Sequence, residues 1–523
     1  MSTNNNNKQH FKVCFCWSRG FKLRGGEIPE DIKQVFESYS VYGIMSIDNL
    51  ISFLEKEQKE VNNVTKEAQN IFNSLKHHHN IVHKRGLNLD AFFKYLIGDY
   101  NFAHQSKVHQ NMDAPLAHYY IYTGHNSYLT GNQLSSDCST EPIKKALKKG
   151  VRVIELDLWS NITKDDIDVR HGGTLTTPVK LSKCLKAIKE MVKKTFGSML
   201  FIPQSEMDEF PSPNSLKNKI LISTKPPPKS SAESDKERDE QQDEEFEEVL
   251  KYRDLIAIHA TKHKGGMENF GRHASFDKVG RLSMNEQALE KALAVTEHGH
   301  QLIRFTQRHI LRVYPKGARI DSSNYDPLIA WMRGAQMVAF NMQGYCKYLW
   351  MMQGFFRANG GCGYVKKPEF LLCPDGACHE VFNSMALPVK TILKVKIFMG
   401  EGWRVDFHFR HFDYCSPPDF YARVGIVGVP GDTSKMCRTG IVDDQWIPIW
   451  NEEFEFPIRV PELALLRIDV KDYDPSGEDE FAGQTCLPVS ELRTGIRCVP
   501  LHKRRGDVYK SVKLLMRFDF MSP

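Results

Sequence analysis

Between Pro29 and about Leu96 the apolar positions recur at helical spacing. Ile32, Val35, Phe36 and Tyr39 keep the i, i+3, i+4, i+7 order, and Leu50, Ile51, Phe53 and Leu54, then Leu89, Phe92, Phe93 and Leu96, give further apolar faces. Helix pairs around Gly43 and Gly86 follow. From about Pro115 the pattern changes to short apolar runs alternating with helical stretches: Tyr119–Tyr122 (YYIY), Val151–Trp159 (VRVIELDLW), Ile167–Arg170, Asn218–Lys225 (NKILISTK), and LIAIHATK from Leu255. Val179, Leu181, Leu185, Ile188, Val192 and Phe196 make one helical stripe after the third run. From about Val389 strands alternate to the end, with WNEEFEFPI at Trp450–Ile458, LALLRIDVKDYD and a last KLLMRFDF. The predicted fold class is multidomain: a helical lobe, an α/β barrel and an all-β sandwich.

Polar groups sit where the strand-like runs end. Along Val151–Trp159, Val151, Val153, Glu155 and Asp157 share one face, and Arg152, Ile154, Leu156 and Leu158 the other. Two carboxylates on the inner face of a strand are costly to desolvate unless a cation or hydrogen bonds compensate, which points to a metal. YYIY runs into Gly124, His125, Asn126 and Ser127, and His171 with Gly172 and Gly173 ends the third run. Polar residues at the ends of successive strands are the signature of a barrel active site. An isolated ELD in a strand is more often a salt-bridged core edge, so the combination carries the reading.

Composition narrows the class. The chain has 523 residues, 41% hydrophobic and 26% charged, too long for one ordinary domain and typical of globular proteins. No run is long enough to cross a membrane and residues 1–20 lack a signal-peptide core, so an intracellular protein is expected. Twelve scattered Cys read as reduced thiols. Lys and Arg number 70 against 64 Asp and Glu, too balanced for a nucleic-acid binder. In the polar start, HFKVCFCWSRGFKLRGG interleaves aromatic, Cys and basic residues; it reads either as a disordered tail or as a segment touching an anionic surface, with Cys14 or Cys16 open to acylation. Three prolines at 226–228 precede ten acidic and two basic residues between Ser231 and Leu250, a solvated linker that could also repel anionic surfaces from a cationic mouth.

PLAHYYIYTGHNSYLTGNQL, GVRVIELDLW and HGGTLTT resemble the X box of eukaryotic phosphoinositide-specific phospholipase C, most closely its short plant form. KVGRLSMNE, LRVYPKGARIDSSNYDP, AQMVAFNMQG and FFRANGGCGYVKKPEFLL resemble the Y box. The resemblance implies a tail (1–27), an EF-hand-like lobe (28–107), X and Y barrel halves (113–225 and 250–375) around the acidic linker (226–249), and a C2 domain (388–523). In the lobe, Ser38, Ser40 and Tyr42, or Ile81, His83 and Arg85, would fill the calcium places; these are poor ligands, and the lobe reads as scaffold. Arg304, Arg308 and Arg312 step by four and would share a helical face if the helix extends that far.

By matching positions, the resemblance assigns His125, His171 and Glu155 to catalysis and Asn126, Glu155 and Asp157 to a catalytic calcium. Lys225, Ser283, Arg312 and Tyr314 would contact the head group, with Ser223 where the family has a further Lys. Asp419, Asp472, Asp474 and Glu480, with Asp479 beside them, would hold calcium in the C2 loops. The family's strand bearing a third calcium carboxylate, and the helix after it, has no counterpart: KCLKAIKE passes straight into MVKKTFGSMLF. The implied activity is calcium-dependent hydrolysis of phosphatidylinositol 4,5-bisphosphate to diacylglycerol and inositol 1,4,5-trisphosphate by a monomer peripheral to the cytoplasmic face of the plasma membrane. The alternative is a non-catalytic calcium- and lipid-binding protein on the same fold.

Overall fold

The computed structural model describes residues 8–14, 17–22, 27–76, 82–83, 86–193, 200–203, 205, 207–226, 253–262, 278–372, 384–408, 411–412, 416–475 and 477–523. The acidic linker, Ile81, Arg85, Cys16 and Phe196 lie outside the described residues. The chain divides into two compact units, one of Met1–Ser106, Gln353–Ala358 and Ser384–Pro523, the other of Lys107–Met352 and Asn359–Asn383.

In the first unit the N-terminal segment is not a plain tail. Lys8–Cys14 pairs antiparallel with Trp17–Lys22, as the alternation of HFKVCFCW allows, and Phe21 is buried beneath Arg19, whose Cζ lies 4.8 Å from the ring centre. Helices follow at Glu30–Ser38, Ile47–Lys56, Val64–Lys76 and Leu89–Leu96. Ser46 caps the second through a reciprocal pair with Asn49, and Asn88 caps the fourth by accepting from Ala91 N. Met45 and Leu87 bridge antiparallel, joining the segments that follow Gly43 and Gly86. The helices bury Ile32, Phe36, Leu50, Phe53, Phe92 and Leu96 in a core that also takes Phe398, Met399, Ile496 and Leu515 from the C-terminal domain. That domain is an eight-stranded antiparallel sheet running from Cys437–Arg438 at one edge to Ile449–Ile458 at the other, and its core holds Trp403, Phe420 and Trp450.

The second unit is built on a parallel sheet. Ile222–Thr224, Ile256–Lys262, Arg281–Asn285, Ile310–Tyr314, Met337–Phe340 and Thr123–Gly124 lie side by side in that order, so strands from before and after the acidic linker share one sheet. Beyond Thr123, Val153 adds a single parallel bridge; beyond Ile222, Leu200 bridges Ile220 in the same way. Among the described residues no pairing joins Val153 to Leu200, the place of the strand missing from the sequence. Leu200, Ile202 and Ile220 along that opening are 37%, 50% and 38% exposed.

Four expectations are corrected here. Val151–Trp159 is not one continuous strand: it gives the Val153 bridge and then Leu158–Ser160 in a separate sheet, because the ladder beyond Val153 has lost the neighbour on its far side. Ile167–Val169 is no barrel strand. The tight turn from Asn161 to Asp166, closed by Asn161 N to Asp166 O at 2.9 Å, is too short for a parallel crossover, so Ile167–Val169 pairs antiparallel with Leu158–Ser160 and Val179–Lys180. The helix Leu181–Lys193 buries Cys184 and Ala187; Val179, Leu181 and Ile188 of the predicted stripe pack against the Cys184 cluster, whereas Leu185 leaves it and is 52% exposed. Arg304 and Arg308 end the helix Thr296–Arg308, whereas Arg312 stands on the strand Ile310–Tyr314, because His309 is extended.

Candidate active site

His125 and Asn126 follow the strand Thr123–Gly124. Gly124 N bonds Val153 O at 3.0 Å and His125 N bonds Phe340 O at 2.7 Å, so the two neighbouring chains fix the turn. Asn126 has a φ of 43°, a conformation Asn tolerates better than most residues. His125 Nδ1 lies 2.9 Å from Asn341 Oδ1, its Nε2 is 4.0 Å from Glu155 Oε2, and its ring stacks parallel to that of Tyr314 at 6.4 Å. Burial pushes the His125 pKa down against the pull of Glu155, which favours the neutral ring.

Glu155 and Asp157 face inward as the alternation predicts, while Ile154 and Leu156 pack against the opposite cluster around Tyr128 and Val169. Glu155 Oε1 is 2.5 Å from Arg312 Nη2. Burial would raise the Glu155 pKa, but Arg312, His125, the Asn126 N–H and Arg281 together hold it below the usual carboxylate range. Burial dominates at Asp157 and raises its pKa, although Tyr128 OH donates to Oδ2 at 2.7 Å. His171 donates from Nδ1 to the main-chain oxygen of Gln133 at 2.8 Å, leaving Nε2 for chemistry. Its N–H bonds Thr176 Oγ1 at 3.2 Å.

The head-group residues are placed unequally. Ser283 sits directly opposite Arg312 in the parallel ladder, and the Arg312 guanidinium lies 5.0 Å from the centre of the Tyr314 ring. Arg312 Nη2 is buried against Glu155 Oε1 at 2.5 Å, an ion pair whose guanidinium an incoming anion would have to share. Lys225 is exposed just past Thr224, and Ser223 Oγ bonds Ile258 O at 3.0 Å. Sequence reasoning missed Arg281, Tyr128, Gln133 and Asn341. Asn341 ends the apolar run QMVAF and carried the same strand-end signal as His125; Gln133 lies in a polar loop and carried none.

Asn126, Glu155 and Asp157 offer only oxygen ligands, which suits calcium in kind. Their number is short: calcium takes about six to eight oxygens, and no group of three or more His, Cys, Asp or Glu among the described residues could hold a metal ion. Water and substrate would have to complete the shell. In the C2 loops the acids meet in pairs. Asp472 Oδ1 accepts from Asp419 N at 2.5 Å, Asp419 Oδ1 from Asp444 N at 2.6 Å, and Asp479 Oδ1 from Asp474 N at 3.3 Å. Tyr421 OH also donates to Asp479. Glu480 opens the strand Glu480–Pro488, paired with Asp472. Burial raises the Asp419 pKa; the Asp444 N–H opposes the rise, while the charges of Asp444 and Asp443, which the sequence reading did not single out, add to it.

Comparison with known proteins agrees with this layout. Residues 112–194 and 186–226 match the X domain of phosphatidylinositol-specific phospholipase C, 255–370 its Y domain, 391–503 a C2 domain, and 28–101 the phosphoinositide-specific phospholipase C EF-hand-like family. The X match comes in two pieces, consistent with a segment lost between them. Phosphoinositide phospholipase C 2 of Arabidopsis thaliana is 51% identical over 589 aligned positions, covering 98% of this chain and 100% of the relative; the alignment outruns the 523-residue chain, so this chain carries the gaps. Human 1-phosphatidylinositol 4,5-bisphosphate phosphodiesterase delta-1 is 30% identical, over 91% of this chain and 70% of its own. The crystal structure of S. officinalis PLC21 shares the fold, with a TM-score of 0.73 at 23% identity over 95% of this chain and 69% of that one. The chain belongs to the phosphoinositide-specific phospholipase C family, alongside its plant members.

Proposed function

We propose that the chain cleaves phosphatidylinositol 4,5-bisphosphate between glycerol and phosphate, giving diacylglycerol and inositol 1,4,5-trisphosphate. The observation that carries this is the meeting of His125, Glu155, Arg312 and Tyr314 at strand ends of one parallel sheet. Arg312, with Ser283 and Tyr314 beside it, offers its fork to a head-group phosphate. A phosphate drawn to Arg312 shares the guanidinium and loosens its hold on Glu155, which then takes the proton of the inositol 2-hydroxyl as that oxygen attacks the phosphorus. The negative charge of an arriving phosphate favours a second proton on the His125 ring, at Nε2, from which it would donate to the phosphoryl oxygens. His171, acting in its doubly protonated form with Nδ1–H held on Gln133 O, gives its Nε2 proton to the departing diacylglycerol oxygen and, now neutral, takes a proton at Nε2 from the water that opens the cyclic phosphate. Calcium at Asn126, Glu155 and Asp157 would neutralise phosphoryl charge and make the 2-hydroxyl more acidic.

Membrane engagement is read from two features. Leu134, Leu175 and Ile320 are 45%, 86% and 48% exposed on adjoining loops, tied by Leu175 N to Leu134 O and Gln133 N to Ile320 O, both 2.8 Å. The C2 acids would add calcium-dependent attraction to anionic head groups at the cytoplasmic face of the plasma membrane. No described helix is long and apolar enough to cross a membrane. The missing third carboxylate supports a second reading, a lipid-binding protein without turnover. Release of inositol trisphosphate by the purified chain on mixed vesicles, with and without calcium, separates the two. Turnover that is lost on chelation and in His171→Ala supports the enzyme; its absence in the unaltered chain leaves the second reading.

A further inference from the structure

We infer that Gln133 is the positioning residue that sets the hydrogen-bond polarity of the active site, presenting the oxygen of Asn126 to a cation and keeping a proton on His125 Nδ1, so that Nε2 is the ring nitrogen turned to the reacting phosphate. The argument starts from two main-chain carbonyls, which can only accept. Ser322 Oγ donates to Gly131 O at 2.8 Å, and Asn341 Nδ2 donates to Ser323 O at 3.3 Å. The first leaves Ser322 Oγ as an acceptor on its other side; the second turns Asn341 Oδ1 toward the site. Gln133 Nε2 meets both, at 2.8 Å and 3.1 Å, so both of its hydrogens are used and its identity as the nitrogen is fixed. Gln133 Oε1 must then be the acceptor that faces Asn126 Nδ2 at 3.0 Å. Asn126 is thereby held with its amide nitrogen toward Gln133 and its Oδ1 left over.

The same amide acts on His125. Asn341 Oδ1 accepts from Gln133 Nε2 and lies 2.9 Å from His125 Nδ1, so the ring carries its proton on Nδ1. Reversing Gln133 would set its oxygen against Asn341 Oδ1, and relieving that clash would turn Asn341 Oδ1 onto the Ser323 carbonyl. The main chain of Gln133 adds a third tie, accepting from His171 Nδ1 at 2.8 Å. Gln133 is 6% exposed, and a residue at this one position thus orients a cation ligand and both histidines. The inference rests on the roles given above to Asn126 and His125.

The test uses the full chain with Gln133→Met and Gln133→Glu. Two readouts are followed: inositol trisphosphate release against calcium, and the imidazole 15N shifts of His125 and His171, assigned through His125→Ala and His171→Ala. In the unaltered chain both rings should carry a proton on Nδ1. Gln133→Met should move His125 toward the other tautomer and leave His171, whose partner is the main chain, unchanged. It should also lower kcat and raise the half-maximal calcium concentration, each about 10–100-fold, the usual cost of losing an outer-shell partner. Gln133→Glu can still accept from Asn126 but cannot donate to Asn341, so kcat should fall while half-maximal calcium does not rise. An unmoved His125 signal in both folded variants overturns the inference whatever the turnover. If the unaltered chain shows no turnover, the proposed activity fails and the tautomer shift alone decides the role of Gln133. Equal calcium dependence in a turning-over Gln133→Met variant refutes the Asn126 link.

Discussion

Lys367 is 2% exposed, and its Nζ donates to Thr306 O at 2.8 Å. Burial holds its pKa well below that of a free lysine. The unfolded chain therefore binds this proton up to about pH 10.4 while the folded chain does not, and the difference makes stability rise with pH between the folded pKa and about 10.4. The cost is largest below that window. Lys367→Met keeps the length of the side chain and removes the ammonium. Thr306 O is not orphaned, because Gln336 Nε2 also donates to it at 2.7 Å. The substitution should stabilise the chain at pH 7 and flatten the pH dependence. Denaturant titrations at pH 7 and pH 9.5 check this; a loss of stability at both would mean the ammonium is compensated in the fold.

At the scale of elements, the absent strand has the widest consequence. The sheet keeps parallel pairing from Leu200 round to Val153, with no pairing between those two among the described residues, and the resemblance implies a further carboxylate-bearing strand there. Two carboxylates remain, with Arg312 close to one of them. Phosphoryl transfer depends on positioning and charge stabilisation, and a displacement of about 1 Å can cost about 100-fold in rate. Inserting a strand with a glutamate between Glu190 and Met191 should raise turnover and lower the calcium requirement. An unchanged rate and calcium curve would mean another group fills the metal position.

The same region shows what the sequence can and cannot disclose. His125 and Asn126 stood out because they follow a short apolar run, whereas Arg312 and Tyr314 came only from the resemblance, the spacing by itself having put Arg312 on a helical face. Leu158–Ser160 and Ile167–Val169 were misread because an apolar run says nothing about its partner; the length of the Asn161–Asp166 turn decided that. Gln133 was illegible because its role lies in amide polarity relayed from Gly131 and Ser323, which no local pattern records. The resemblance, rather than periodicity, disclosed the missing strand.

Over the molecule as a whole, the helical lobe and the C-terminal sandwich share one core. Phe398, Met399, Ile496 and Leu515 pack among the lobe's helices, and a polar seam runs beside them. Gln58 is 1% exposed and meets the edge of a sandwich strand like a short piece of sheet: Ile496 N donates to Gln58 Oε1 at 2.6 Å, and Gln58 Nε2 donates to Ile496 O at 2.8 Å. Arg497, 1% exposed, reaches Glu60 at 2.6 Å and Gln58 O at 2.8 Å. Gln58→Ala leaves the Ile496 N–H buried without this acceptor, whereas Ile496 O keeps the Asn101 amide at 2.9 Å. One orphaned buried donor costs about 1–3 kcal/mol. Because the strand belongs to the sandwich and the side chain to the lobe, the loss should reach both. Hydrogen exchange should therefore speed up around Phe53 and Phe92 and also around Leu515 and Ile496 in Gln58→Ala. Faster exchange confined to the helices would show that the lobe opens alone and that the shared core does not couple it to the sandwich.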